Sequence, residues 1–300
     1  MRLAILTTLA MIAFAANSVL ARLALGDGAI DPLAYTGIRL VSGAIVLAAI
    51  LLLRTRRGAT NGGPAGPQLL GDGAVGTWSG ALALLLYAVS FSIAYVMVAT
   101  APGALILFAS VQIGMLAWAV IRGDRPAPLE WLGIALAFGG LVYLVSPSLV
   151  APPLGGAVLM AVAGVSWGAY SLIGRGSRSA LPDTAGNFVR CVPAGLALVL
   201  VGILRFAPRP EGVVYGLLSG AIASGLGYII WYAALPRLSR TRAAFVQLTV
   251  PAIAAAGGVV FIGEALGPRL LLATAVILGG VALALAAAHW RSTRTRATDS

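Results

Sequence analysis

The sequence contains no lysine, one cysteine, one histidine and only nine acidic residues in 300. Each shortage excludes something. A lone Cys191 cannot form an intrachain disulfide. A lone His289, beside a basic tail, leaves no second imidazole for a histidine metal site, so neither metal nor cofactor is expected. No Ser/His/Asp set, metal-ligand cluster or pair of intramembrane carboxylates is present, which argues against a membrane enzyme, the alternative from a different class. Charged residues make up 10% of the chain, where a soluble domain carries about 25%.

What the chain has in excess is apolar side chains, 60% of all residues, with a mean hydropathy of +0.98. All 20 basic residues are arginine and the net charge is +11. In a soluble chain that charge would suggest nucleic acid as a partner. The hydropathy excludes it, because the arginines sit mainly in short connections between apolar segments. Ten such segments approach the ~20 residues a helix needs to cross a bilayer. They are Leu3–Ala21, Pro32–Leu53, Trp78–Val98, Pro102–Ile121, Pro128–Val145, Leu154–Gly174, Phe188–Leu204, Val213–Leu235, Ala243–Gly263 and Leu270–Ala288. Strand alternation is absent, so the expected fold is all-α and integral to the membrane. Arg2 and the run ending Ala-Asn-Ser-Val-Leu-Ala have the outline of a signal peptide, but the run continues to Arg22 and reads as the first span. The stretch Arg54–Thr77, rich in Gly, Pro and Asn, reads as a flexible loop.

Arginine placement predicts the orientation. Arg2, Arg54, Arg56, Arg57, Arg122, Arg125, Arg175, Arg178, Arg237, Arg240, Arg242, Arg291, Arg294 and Arg296 fall on one side, and only Arg205, Arg209 and Arg269 on the other. By the positive-inside rule both termini are cytoplasmic. The chain also repeats itself. An offset of 140 pairs Gly80 with Gly220, Gly123-Asp124 with Gly263-Glu264, Pro128 with Pro268, and Gly139-Gly140 with Gly279-Gly280. Earlier, Phe14 pairs with Trp167 and Arg22 with Arg175 at 153, and Arg39 with Arg190 at 151. Five helices per repeat is an odd number, so the second repeat enters the membrane upside down. Residues 1–147 form one repeat, 154–288 the other, and 289–300 a basic cytoplasmic tail. Inverted repeats are the architecture of many secondary transporters, with a site near the midplane between halves.

The residues Gly227-Tyr228-Ile229-Ile230-Trp231-Tyr232-Ala233-Ala234-Leu235, Ser239-Arg240-Thr241-Arg242-Ala243, Pro251, Gly263-Glu264, Pro268 and Gly279-Gly280 carry a recognisable pattern. Over nearly its whole length the chain resembles the drug/metabolite transporter superfamily, and each repeat is similar to its EamA domain. The first repeat departs from the pattern where Val111 stands in place of the second repeat's Pro251, and where Asn17 follows an alanine in place of Trp-Gly. The resemblance implies ten helices, alternating access in a bacterial inner membrane, and export of amino acids or similar small polar metabolites. Small multidrug exporters of that superfamily couple protons through a helix-1 carboxylate; this chain offers only Asn17 there. A nucleotide-sugar or sugar-phosphate exchanger would share the fold, yet would need several basic residues converging on the cavity. Only Arg39 and Arg190 qualify.

Site candidates are the polar and aromatic residues near mid-depth. They are Asn17 on helix 1, Tyr87 and Phe91 on helix 3, and Ser110 and Gln112 on helix 4. Helix 6 adds Trp167 and Tyr170, helix 8 Tyr228 and Trp231, and helix 9 Gln247 and Pro251. Amides are disfavoured in lipid and should face the interior. Pro251 would break helix 9 at mid-length and free the Gln247 carbonyl. Two readings stay open for Arg39 and Arg190. They either snorkel, or frame the two mouths of the route and attract carboxylates. Arg22 is expected to snorkel from the end of helix 1. Asp124 and Glu264 are expected to serve the N-termini of helices 5 and 10. Ala135-x-x-x-Gly139 and Ala275-x-x-x-Gly279 are expected to form packing seams, either between halves or between protomers. The partners are a small-molecule substrate and the lipid bilayer, with the protein a monomer or homodimer.

Overall fold

Proline opens four of the helices, at Pro32, Pro128, Pro210 and Pro268, where its missing N–H would have had no helical partner. Polar side chains cap as well: Thr77 Oγ1 accepts the Gly80 N–H at 3.0 Å at the start of the Trp78 helix, and behind Pro128 the Glu130 carboxylate accepts the Ala127 N–H at 3.1 Å. The computed structural model describes residues 2–60, 75–123, 126–146, 151–174, 180–234, 237–238 and 246–298. In order they form α1 (Arg2–Leu25), α2 (Pro32–Thr60), α3 (Trp78–Met97), α4 (Thr100–Ile121), α5 (Pro128–Val145), α6 (Leu154–Gly174) and α7 (Ala180–Arg205). Then come α8 (Pro210–Leu217), a π-helical segment (Leu218–Leu226), α9 (Gly227–Ala234), α10 (Val250–Gly257) with a second π-helical segment (Gly258–Ile262), and α11 (Pro268–Thr298).

Among the described residues there is no strand, and nine helical stretches are long and apolar enough to cross a membrane. Val250–Ile262 is a shorter tenth. Side chains such as Ile45, Leu82, Leu204, Val260 and Phe261 point outward and stay more than half exposed, as a lipid-facing surface requires. Trp78 opens α3 and Trp290 follows the apolar part of α11, which ends at Ala288; both are exposed, which suits interfacial anchors.

Packing follows the repeat. α2 lies along α7, and α5 along α11. α6 sits against α3 and α4 as α1 sits against the α8–α9 stretch and α10. Glycines bring these pairs close. A Cβ on Gly280 would lie 2.6 Å from the backbone of Gly133 and Ala137, so α5 and α11 touch main chain to main chain. Gly123 and Gly263 both take left-handed φ, +97° and +75°, which only glycine adopts freely. The Gly-acid echo in the sequence is therefore one turn device used twice.

Several expectations need correction. α2 runs past Leu53 to Thr60, and Val75–Thr77 is tied down: Gly76 N–H donates to Asp183 and Thr77 N–H to Asn187. Of the expected loop Arg54–Thr77, the first part is helical and the last three residues are held by α7, and residues 61–74 lie outside the described residues. α7 begins at Ala180, before Phe188, because its polar first turns hold that segment instead of facing water. Within the chain, the α5–α11 contact runs through Gly133, Gly140 and Gly280, and a Cβ on Gly139 or Gly279 would meet nothing within 4 Å, so those two glycines do not make the seam between halves. Arg22 turns inward, donating to the Tyr95 carbonyl at 3.1 Å and pairing with Glu264 at 3.7 Å. Glu264 caps α4, not the last helix. Asp124 lies outside the described residues.

Candidate functional site

Arg39 sits two turns into α2 and is 2% exposed. An apolar segment tolerates such a charge only if its donors find partners. Nε donates to Ser224 Oγ at 3.2 Å and Nη2 to Tyr87 Oη at 2.9 Å. The guanidinium lies over the Phe91 ring at 4.8 Å and the Tyr87 ring at 5.1 Å. Nη1 is buried with no hydrogen-bond partner. No carboxylate pairs with Arg39 among the described residues, whereas Arg22–Glu264, Arg205–Asp31 and Arg209–Glu211 form ion pairs at helix ends.

Ser224 continues the network to Asn17 of α1. Asn17 Oδ1 accepts from Ser219 at 2.7 Å and from Ser224 at 3.3 Å. Two serines five residues apart would diverge around an α-helix, at about 100° per residue. They converge because Leu218–Leu226 is π-helical, with i→i+5 bonding that brings residues five apart onto one side. Gly220 permits the close approach: a Cβ there would run into the Arg39 carbonyl and the Ser42 hydroxyl.

Aromatic rings close the rest. Trp167 packs on Tyr87 at 5.0 Å, Tyr228 at 5.2 Å and Tyr170 at 5.4 Å. Phe14 meets Trp167, Tyr228 and Trp231 edge-on. Phe14 and Trp167 are repeat mates, so this contact joins equivalent points of the two repeats. Together Phe14, Asn17, Ser18, Tyr87, Phe91, Leu107, Phe108, Trp167 and Tyr228 line a cavity of about 20 Å³, room for about one water. A larger groove of about 460 Å³ between α1 and α10 is walled by Ile12, Leu20, Ile253, Val260, Phe261 and similar residues. It offers no polar side chain and suits lipid chains instead of a polar solute.

The sequence model of the EamA-like transporter family matches residues 1–146 and again 154–286. The chain belongs to the EamA-like transporter family. As a member it is a multi-pass membrane transporter. It is 47% identical over 293 residues to the uncharacterized protein PA1977 of Pseudomonas aeruginosa, covering 98% of each chain. It is 31% identical over 209 residues to the threonine/homoserine exporter RhtA of Escherichia coli, covering 66% of this chain and 68% of that one. The uncharacterized inner membrane transporter YedA of Escherichia coli is 28% identical over 264 residues, 84% and 81% of the two chains. A solved structure described only as that of a protein superposes with a TM-score of 0.60 at 21% identity, over 92% of this chain and 95% of that one, which bears on fold alone.

In this EamA-family fold Asn17, Arg39, Tyr87, Phe91, Trp167, Tyr170 and Tyr228 come together, with Trp231 behind Phe14. The others do not join them. Ser110 and Gln112 are buried on α4, but α4 gives the cavity Leu107 and Phe108, and Ser110 packs on Gly164. Val246 and Gln247 are helical, Leu248 and Thr249 turn, and α10 starts again at Val250, so the helical path is interrupted just before Pro251, as expected. Neither Gln247 nor Pro251 lines the cavity. Arg190 is no mirror of Arg39: it bonds the Val75 carbonyl and the Gly186 carbonyl beside Trp78. Sequence reasoning overlooked Phe14, Ser18, Leu107, Phe108, Ser219 and Ser224. The Phe14/Trp167 register was a usable signal for the first. The serines stand in Leu-Ser-Gly-Ala-Ile-Ala-Ser-Gly-Leu, which reads as packing sequence until the π-turn is seen.

Proposed function

We propose that this transporter is a secondary carrier of the inner membrane, working by alternating access and exporting amino acids or similar small carboxylate-bearing metabolites. The cavity between α1, α3, α4, α6 and α9 is its substrate site, and both termini face the cytoplasm. One observation carries the reading: a fully buried guanidinium with an unpartnered N–H stands beside an aromatic cavity built from both repeats. A buried cation without an anion is costly, and a substrate carboxylate offsets that cost. The cavity is too small for such a solute as it stands, so binding requires the repeats to part, as alternating access supplies. Export and the amino-acid class are supported by the relation to RhtA, named a threonine/homoserine exporter, and the inner membrane by the relation to YedA. A phosphorylated solute would call for more than one buried cation at the cavity.

The test is counterflow in proteoliposomes with a labelled amino-acid panel, with and without a pH gradient. Saturable exchange that Arg39→Gln abolishes is the expected result. Exchange of a phosphorylated solute, with none for any amino acid, would refute the reading.

A further inference from the structure

The direction of the hydrogen bonds around Arg39 narrows the ligand further. A guanidinium donates and never accepts. Each hydroxyl bound to it therefore turns oxygen inward and hydrogen away. Ser224 takes the Nε–H of Arg39 and passes its own hydrogen to Asn17 Oδ1, which also receives the Ser219 hydroxyl. With that oxygen accepting twice, Asn17 offers its amide hydrogens to the cavity it lines. Tyr87 also lines the cavity, accepts from Nη2 and has its phenolic hydrogen left to give. Nη1 of Arg39 is buried and unpartnered. The polarity of one buried cation has thus spread outward through its neighbours, and the polar end of the cavity is a set of donors. The remaining walls are Phe14, Phe91, Leu107, Phe108, Trp167 and Tyr228, with the Ser18 hydroxyl as the one other small polar group.

Accepting the cavity as the substrate site, we infer that it recognises a monocarboxylate as an anion, through Arg39 Nη1, the Asn17 amide and the Tyr87 hydroxyl, and has no requirement for an ammonium group. The apolar or aromatic body of the solute lies among the rings. Charge balance leads to the same ligand. A monoanion neutralises the single buried cation, whereas a zwitterion leaves one positive charge uncompensated and brings an ammonium among rings and donors. The rings supply it a weak cation–π contact and Ser18 a neutral hydroxyl, and no carboxylate among the described residues faces it.

Four probes share one aromatic body: phenylpropionate, N-acetylphenylalanine, phenylalanine and phenethylamine. Binding to the purified wild-type protein is read from tryptophan fluorescence, and competition from counterflow in proteoliposomes. Phenylpropionate and N-acetylphenylalanine bind at least as tightly as phenylalanine, and phenethylamine about a hundredfold more weakly. Tyr87→Phe weakens the carboxylates about tenfold, the worth of one hydrogen bond to a charged group. If phenylalanine binds and phenylpropionate does not, the ammonium is recognised and this inference fails while the substrate site stands. Equal binding of phenethylamine and the acids also sinks it. If none of the four binds and flux is carried by another solute, the assignment of the cavity falls as well.

Discussion

Glu264 caps a helix of the other repeat: both its carboxylate oxygens lie 2.9 Å from the Thr100 N–H, and Oε1 also takes the Thr100 hydroxyl at 3.0 Å. The same carboxylate pairs with Arg22, whose guanidinium satisfies the Tyr95 carbonyl at the end of α3. One acidic side chain therefore ties α1, α3 and α4 to the segment after α10, on the face opposite the amino terminus. Glu264→Gln keeps an acceptor for Thr100, and Glu264→Ala keeps none. The alanine variant loses about 1–2 kcal/mol, the worth of a cap, and the glutamine variant less, by thermal unfolding in detergent. A double-mutant cycle with Arg22→Gln returns a coupling of about 0.5–1 kcal/mol, since the pair is partly exposed. Equal stability of Glu264→Ala and wild type would remove the cap from the account.

The α5–α11 seam is tested by neighbours one residue apart. A Cβ on Gly280 meets the α5 backbone, while one on Gly279 meets nothing within 4 Å. Gly280→Ala is expected to cost about 1–3 kcal/mol through overpacking. Gly279→Ala and Gly139→Ala stay within about 0.5 kcal/mol of wild type. The same unfolding assay reads all three.

Ser219 and Ser224 both reach Asn17, but only Ser224 also accepts from Arg39. Ser224→Ala strands a charged donor in the interior, which costs about 1–3 kcal/mol. Ser219→Ala leaves Asn17 its second donor and is milder. A reversal of that order in unfolding would mean that the π-turn does not serve Arg39.

Arg39→Lys is not a conservative change at this site. Lysine has three N–H donors but on a single nitrogen, which cannot stand at both the Nε and the Nη2 positions that reach Ser224 and Tyr87. Transport falls about tenfold or more in both Arg39→Lys and Arg39→Gln, with membrane insertion unchanged. Wild-type flux in either would take Arg39 out of the mechanism.

Orientation can be read with thiol labels, because Cys191 is buried and donates to the Ala81 carbonyl. The parent chain should stay unlabelled by an impermeant maleimide. Glu211→Cys, at a half-exposed position, labels in intact cells, and Ser300→Cys only after permeabilisation. The opposite pattern overturns the cytoplasmic placement of the termini.

Fold was legible because hydropathy and repeat register are local or additive signals. α5 and α6 begin and end at the residues expected from apolar run length, proline and glycine. Length was misjudged where polar residues serve other helices, as Asp183 and Asn187 do at the start of α7. The site was half legible. Large aromatics and amides on the α1, α3, α6 and α9 segments announce an interior, since lipid favours neither Asn17 nor a buried tyrosine hydroxyl. Ser110, Gln112, Gln247 and Pro251 carried the same local signal but do not line this cavity. Depth along a helix says nothing about which way a residue faces.

The sequence by itself determined a duplicated, all-helical membrane chain, because each span must satisfy its own backbone in lipid and an odd repeat must invert. It could not determine what Arg39 and Arg190 do, though they share a register. Tertiary structure decided that. Arg39 is enclosed by Tyr87, Phe91 and a serine that only a π-turn delivers, while Arg190 is spent on the Val75 and Gly186 carbonyls. A buried charge takes its meaning from the donors and acceptors around it, and those come from helices 48 and 185 residues away in the chain.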